Sequence, residues 1–196
     1  MSILEIISNR HSYRKTFKPD PVPREDLVKI MQAGLDAPSG CNKQTVSLIG
    51  VDDPEVLAKL RAVIDPPQGE TAPAMICVLS KERIAYADRC FAVQDYSAAI
   101  QNMLLAIVEL GYQSCWYEGH ITDENEESGR VCDKMAKILN VPDEYHLVCM
   151  LPVGIAAEEF HGPRKRPFEQ RAWFNSFPTE EEYDQIFERA GVKPPR

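Results

Sequence analysis

Apolar residues along this chain fall into two patterns, and each predicts a kind of element. Ile3, Leu4, Ile6 and Ile7 recur at near-helical spacing and predict a short helix over residues 2–9. Pro19, Pro21 and Pro23 then hold an extended linker. From Arg24 to Leu35 the residues Leu27, Ile30, Met31 and Leu35 share one face, which predicts a second helix stopping before the turn Ala37-Pro38-Ser39-Gly40. Val46–Val51 reads as a short strand, and Asp53-Pro54 as the start of a helix running to Ile64. The run Ala74-Met75-Ile76-Cys77-Val78-Leu79 is apolar throughout, the pattern of a central strand covered on both faces. From Asp95 to Leu110 apolar residues cover almost every face, so this helix is expected to be buried on all sides and to end at Gly111. Gln113–Tyr117 and Leu147–Gly154 read as strands, with a helix from Asn125 to Leu139 between them. Strands separated by helices predict an α/β or α+β sandwich.

The tail breaks the pattern. From Pro163 it is proline-punctuated and carries Phe168, Trp173, Phe174 and Phe177 outside any obvious element, before a short acidic helix near Glu180–Ala190. A single subunit has difficulty burying four such rings, and an arm packed on a partner subunit resolves the conflict.

Composition narrows the function. The 196 residues suit one domain with a full core, or two very small ones. A formal charge of −8 argues against nucleic-acid binding, which needs a basic face. The six cysteines, at 41, 77, 90, 115, 132 and 149, form no CxxC, and no histidine lies at ligand spacing. They read as reduced thiols of a cytoplasmic protein, with neither a disulfide frame nor a metal site. The first residues lack a basic segment followed by a long apolar one, so no signal peptide is expected. The apolar run Met103–Val108 is too short to cross a membrane.

Against this acidic background one segment stands out. Arg10-His11-Ser12-Tyr13-Arg14-Lys15 concentrates cations and a hydroxyl, and Arg164-Lys165-Arg166 forms a second cluster far away in sequence. Arginine holds phosphate bidentately, so two converging clusters suit a mononucleotide anchored without a glycine loop. No GxG occurs, so neither a dinucleotide fingerprint nor a phosphate loop of the Walker type is present. No GxSxG is present either.

The ordered series Arg10-x-Ser12-x-Arg14-x-x-Phe17, Pro21-Val22-Pro23 and Ala37-Pro38-Ser39-Gly40-Cys41-Asn42-Lys43-Gln44 resembles the N-terminal half of the FMN-dependent nitroreductase family. The resemblance continues through Asp95, Gln101-Asn102, Glu109-Leu110-Gly111, Cys115-Trp116, Glu118-Gly119, Leu151-Pro152-Val153-Gly154 and Arg164-x-Arg166. It implies a single domain over 1–196: an α/β/α sandwich around a mixed, mainly antiparallel sheet, dimeric, with exchange of a C-terminal arm from about residue 163. It also implies FMN as cofactor and a homodimer with sites at the subunit interface. In that pattern Arg10, Ser12, Arg164 and Arg166 meet the phosphate and ribityl chain, and Arg14 faces the N1/O2 edge of the ring. Pro38, Ser39, Gly40 and Asn42 come from the other subunit, while Glu118 and Gly119 present backbone to the N5 side. His11 is grouped with the first cluster, although a histidine there reads more simply as a packing residue. Cys41 reads as a small packing residue and Trp116 as core. The physics agrees with these roles: a fixed cation by N1 favours the reduced ring, and glycine at 119 lets backbone approach closely.

The activity implied is a two-electron oxidoreductase in which NAD(P)H and then a nitroaromatic, quinone or similar electrophile take turns, with no catalytic side chain required. Alternatives are a flavin dehydrogenase or dehalogenase on the same fold, or a flavin-binding protein without turnover. Thr45-Val46 stand where the family has proline-tryptophan, which leaves the pocket shape open. Residues 81–94 match no pattern and are expected to cover the substrate side, with Tyr86, Phe91 or Tyr96 lining it.

Overall fold

The computed structural model describes residues 1–64, 69–118 and 131–193. They divide into two compact units, Met1–His161 and Gly162–Arg196.

In the first unit, Ser2 caps helix α1 (Ile3–Asn9) through a capping box with Glu5. Helix α2 (Arg24–Leu35) buries Leu27, Ile30 and Gly34. A short 3-10 turn (Gly40–Asn42) leads to strand β1 (Val46–Val51). Helix α3 (Pro54–Arg61) starts as its sequence dictates: the Asp53 carboxylate accepts from the backbone N–H groups of Glu55 and Val56, and proline takes the first helical position. It ends three residues before Ile64, in tight turns that bond Val63 N–H to Leu60 O and Ile64 N–H to Arg61 O. Strand β2 (Ala74–Ser80) precedes a small hairpin of β3 (Ile84–Tyr86) and β4 (Arg89–Cys90). Helix α4 (Ala92–Glu109), strand β5 (Tyr117–Glu118), helix α5 (Val131–Ile138) and strand β6 (His146–Val153) complete the unit. The part of the expected 125–139 helix before Val131 lies outside the described residues.

The main sheet has the order β1-β2-β6-β5, and each described pairing is antiparallel. Every residue of β2 is buried, as its apolar run demands, because both faces are covered. Ala74, Ile76 and Val78 pack with Leu27 and Ile30 of α2 and with Ile100, Met103, Leu104 and Ile107 of α4. The alternate residues Met75, Cys77 and Leu79 pack with Leu57 and Leu60 of α3 and with Cys132 and Met135 of α5. This is the expected α/β/α sandwich. Helices α2 and α4 approach closely at Gly34, where an added Cβ would lie 2.8 Å from Met103 Cγ. Gly111 closes α4 at φ +85°, a conformation that costs glycine little. The strand expected over 113–117 is reduced to an isolated bridge, Gln113 to Gly154, and the two residues of β5.

In the second unit a 3-10 turn (Phe168–Gln170) precedes helix α6 (Glu180–Arg189), which Thr179 starts with a capping box to Glu182. Trp173, Phe177 and Tyr183 pack on one another, with Phe187 beneath Tyr183. Phe168, Phe174 and Phe177 nonetheless remain exposed, Phe174 at 80%.

Candidate functional site

Helix α1 ends at Arg10, whose own backbone is extended. Tyr13 and Phe17 point inward and are buried, with their rings edge to face at 5.0 Å. The backbone between them is fixed by Tyr13 N–H donating to Ser114 O (2.9 Å), Phe17 N–H to Thr71 Oγ1 (2.7 Å) and Lys18 N–H to Ile155 O (2.8 Å). Arg10 and Ser12 are half-buried and Arg14 is exposed. Their common neighbour is Cys115. Burial pushes its thiol up, while the charge of Arg14, a hydrogen bond from Ser12 and the charge of Arg10 pull it back. Next to it, burial raises the Tyr117 phenol to about 12, again opposed by Arg14. Among the described residues the buried Tyr117 hydroxyl has no hydrogen-bond partner, and neither has the buried Ser114 Oγ. His11 sets its ring edge-on to Phe160 at 6.5 Å.

Arg10, Ser12 and Arg14 are thus grouped around Cys115, and Arg14 also acts on Tyr117. Orphaned buried hydroxyls are costly, and that of Tyr117, with the charge of Arg14 acting on it, suits a polar ligand. The donor set (two arginines, a serine and a phenol) fits a phosphorylated ring system bearing carbonyl and imine acceptors.

Pro38, Ser39, Gly40 and Asn42 lie on the loop from α2 to β1, with a different anchor. Asp95, only 3% exposed in the first turn of α4, accepts from Gly40 N–H at 2.8 Å and from the Thr45 hydroxyl at 2.7 Å. The Ser39 hydroxyl accepts from Gln44 N–H at 3.0 Å. Within this loop Cys41, Asn42 and Gln44 all have φ near +50°, a region non-glycine residues avoid. Cys41 is exposed, which corrects its reading as a packing residue. A cavity of about 200 Å³ sits behind the loop, lined among others by Gly34, Pro38, Ser39, Thr45 and Asp95.

Gly40 also touches the 81–94 segment, which forms the hairpin and the start of α4. An added Cβ at Gly40 would lie 2.4–2.8 Å from Phe91 Cδ2, Cβ and Cγ. Ala87 and Asp88 turn the hairpin, both left-handed, and leave Ile84 and Tyr86 exposed. Trp116 packs against the core, edge-on to Tyr96 at 6.5 Å.

Glu118 ends β5, paired with Cys149; Gly119 lies outside the described residues. Arg164 and Arg166 belong to the second unit, where with Lys165, Gln170, Phe187 and Lys193 they line a cavity of about 380 Å³. Sequence reasoning treated Asp95 only as the start of a helix and a point of family resemblance, and it missed Tyr117. The bond from Asp95 spans 55 residues and has no local signal.

A four-stranded antiparallel sheet with helices packed on both faces defines an α+β sandwich domain. The model of the Nitroreductase family matches residues 7–66 and 64–155, and the chain belongs to that family. An NADPH-dependent oxidoreductase of Staphylococcus epidermidis is 28% identical over 180 residues, covering 83% of this chain and 68% of the relative. An FMN-dependent nitroreductase from Clostridium difficile R20291 superposes with a TM-score of 0.75 at 26% identity, covering 89% of this chain and 99% of that one. A nitroreductase with bound FMN from Bacteroides fragilis superposes with a TM-score of 0.69 at 23% identity, covering 92% and 100%. No helix among the described residues is long and apolar enough to cross a membrane.

Proposed function

We propose that this protein is an FMN-dependent NAD(P)H oxidoreductase that reduces small electrophiles such as quinones or nitroaromatics. The observation that carries the reading is the grouping of Arg10, Ser12 and Arg14 around Cys115, with Arg14 also near the buried Tyr117 hydroxyl. Bound FMN supplies a centre that takes up two electrons and passes them on. The rest is the work of the chain. Arg10 and Ser12 bind the phosphate and ribityl chain through charge-assisted hydrogen bonds; Arg164 and Arg166 of the C-terminal unit bring the same phosphate-binding chemistry. Arg14 supplies fixed positive charge where negative charge accumulates on reduction. Pro38, Ser39, Gly40 and Asn42 serve the site of the partner subunit, and Glu118 and Gly119 offer backbone groups. No side chain is asked to move a proton.

With no dinucleotide-binding loop in the sequence, reductant and acceptor take turns at one open face, which gives ping-pong kinetics. The exposed Phe168, Phe174 and Phe177 support a homodimer in which this arm packs on the partner. Six free cysteines suit a reducing compartment such as the cytoplasm.

The direct test is titration of FMN-free protein with FMN, followed by quenching of flavin fluorescence, with chromatography of the acid-released cofactor of purified protein. The reading expects FMN, and binding weakened at least about tenfold in Arg10→Ala, the loss of one charge-assisted bond. Recovery of FAD, or no binding of FMN, refutes it.

A further inference from the structure

We infer that Asp95 is a positioning residue that clasps the Pro38–Gln44 loop in the strained shape the site needs, and thereby sets cofactor and acceptor binding without touching either. The inference rests on the FMN reading above, because the loop matters to the reaction only if Pro38, Ser39, Gly40 and Asn42 serve that site.

The geometry is specific. Asp95 spends both carboxylate oxygens on the loop and its exit: Oδ1 on Gly40 N–H and Oδ2 on the Thr45 hydroxyl. The two bonds bracket the three left-handed residues Cys41, Asn42 and Gln44. Such residues persist only where their surroundings over-determine them. Here both ends of the strained stretch are held by one buried anion, and Thr45 is fixed again by its carbonyl, which accepts from Lys81 N–H at 2.9 Å. The Ser39 hydroxyl bonded to Gln44 N–H closes the loop on itself. Hydrogen bonds to a buried charge are stronger than neutral ones, so removing the carboxylate releases both ends together.

An acid in the first turn of a helix has an ordinary use, complementing the positive end of the helix. That role makes a distinct prediction: removing Asp95 would lower thermal stability and leave the Gly40 amide and the binding constants unchanged. The chemistry also supplies a conservative control. In Asp95→Asn the amide oxygen accepts from Gly40 N–H while its NH2 donates to Thr45 Oγ1, so the clasp survives; in Asp95→Ala it is gone.

The test has two readouts. In FMN-free, isotopically labelled protein, NMR follows exchange of the Gly40 amide, which local opening of the loop accelerates. In the reconstituted enzyme, fluorescence quenching gives the Kd for FMN, and steady-state assays with NADPH and benzoquinone give KM and kcat. We expect Asp95→Ala to speed Gly40 exchange and weaken FMN binding, each about tenfold or more, and to raise KM for benzoquinone more than it lowers kcat. Asp95→Asn should recover wild-type Gly40 protection and FMN affinity to within about threefold, the clasp keeping both bonds. Should Asp95→Ala fail to fold, Thr45→Val against Thr45→Ser decides: valine cannot donate and should weaken FMN binding, whereas serine should not. Unchanged Gly40 protection in Asp95→Ala, equal binding by the two Thr45 variants, or a loosened loop with unaltered FMN affinity overturns the proposal and leaves the FMN reading standing. Wild-type protein that takes up no FMN overturns both.

Discussion

Replacing Gly40 by alanine probes the joint between the Pro38–Gln44 loop and the hairpin segment. The new methyl would lie 2.4 Å from Phe91 Cδ2, 2.7 Å from its Cβ and 2.8 Å from its Cγ. Separations under 3 Å are not tolerated, and because Phe91 Cβ is among them a ring flip gives no relief. Phe91 stands directly before α4, so the start of that helix must shift, and Asp95 with it. Gly40 is not among the positive-φ residues, so alanine suffers no backbone penalty and the cost is steric. Overpacking of this kind costs about 1–3 kcal/mol, and a loop position offers no offsetting gain in helix propensity. For a chain of this size each kcal/mol lowers Tm by about 2–4 °C. Denaturant unfolding of wild type, Gly40→Ala, Phe91→Ala and the double variant measures the coupling directly. The double variant should be more stable than the sum of the single losses predicts, by about 1 kcal/mol or more, because Phe91→Ala empties the space the methyl needs. Additive losses, or a Gly40→Ala variant within about 0.5 kcal/mol of wild type, would refute the contact.

Three further outcomes follow. Arg14→Ala should retain FMN but lower its midpoint potential; Arg14 is exposed, so screening limits the effect to about 1 kcal/mol, or about 20 mV for two electrons, read by anaerobic dye equilibration. Burial holds the Tyr117 phenol protonated to about 12. Its folded pKa therefore lies above the unfolded value near 10, and the stability it contributes is present below about pH 10 and lost as pH rises toward 12. Tyr117→Phe should flatten that alkaline decline in unfolding experiments, and absorbance at alkaline pH should show one late-titrating tyrosine fewer than in wild type, Tyr112 staying raised in both by burial and its bond to Asp26. Phe174→Asp, at a side chain 80% exposed, should leave the subunit folded by circular dichroism but shift light scattering from dimer to monomer; an unaltered dimer would remove the arm from the interface.

How far the sequence led depended on the range of the forces involved. Helix α2 was legible to its last residue because Leu27 and Ile30 mark its buried face and prolines flank it. Strand β2 was legible because burial on both faces demands an unbroken apolar run. The end of α3 was not, since Val63 and Ile64 are apolar yet continue only as tight turns. The hairpin escaped notice because its strands are three and two residues long, exposed, and joined by Ala87-Asp88 without glycine. Within the site, a concentration of cations on an acidic chain made Arg10, Ser12 and Arg14 a recognisable set. Asp95 was opaque, because its partners Gly40 and Thr45 lie 55 and 50 residues away.

The central claim is that this chain moves electron pairs from NAD(P)H to a small acceptor through FMN. Anaerobic double mixing tests it most directly: FMN-loaded protein with NADH or NADPH first, then benzoquinone, with absorbance followed at the flavin band. The account predicts that the nicotinamide bleaches the band, that the bleached state persists once the nicotinamide is consumed, and that benzoquinone restores the band with one quinone reduced per flavin. A band that neither nicotinamide bleaches would contradict it, and so would bleaching that benzoquinone does not reverse.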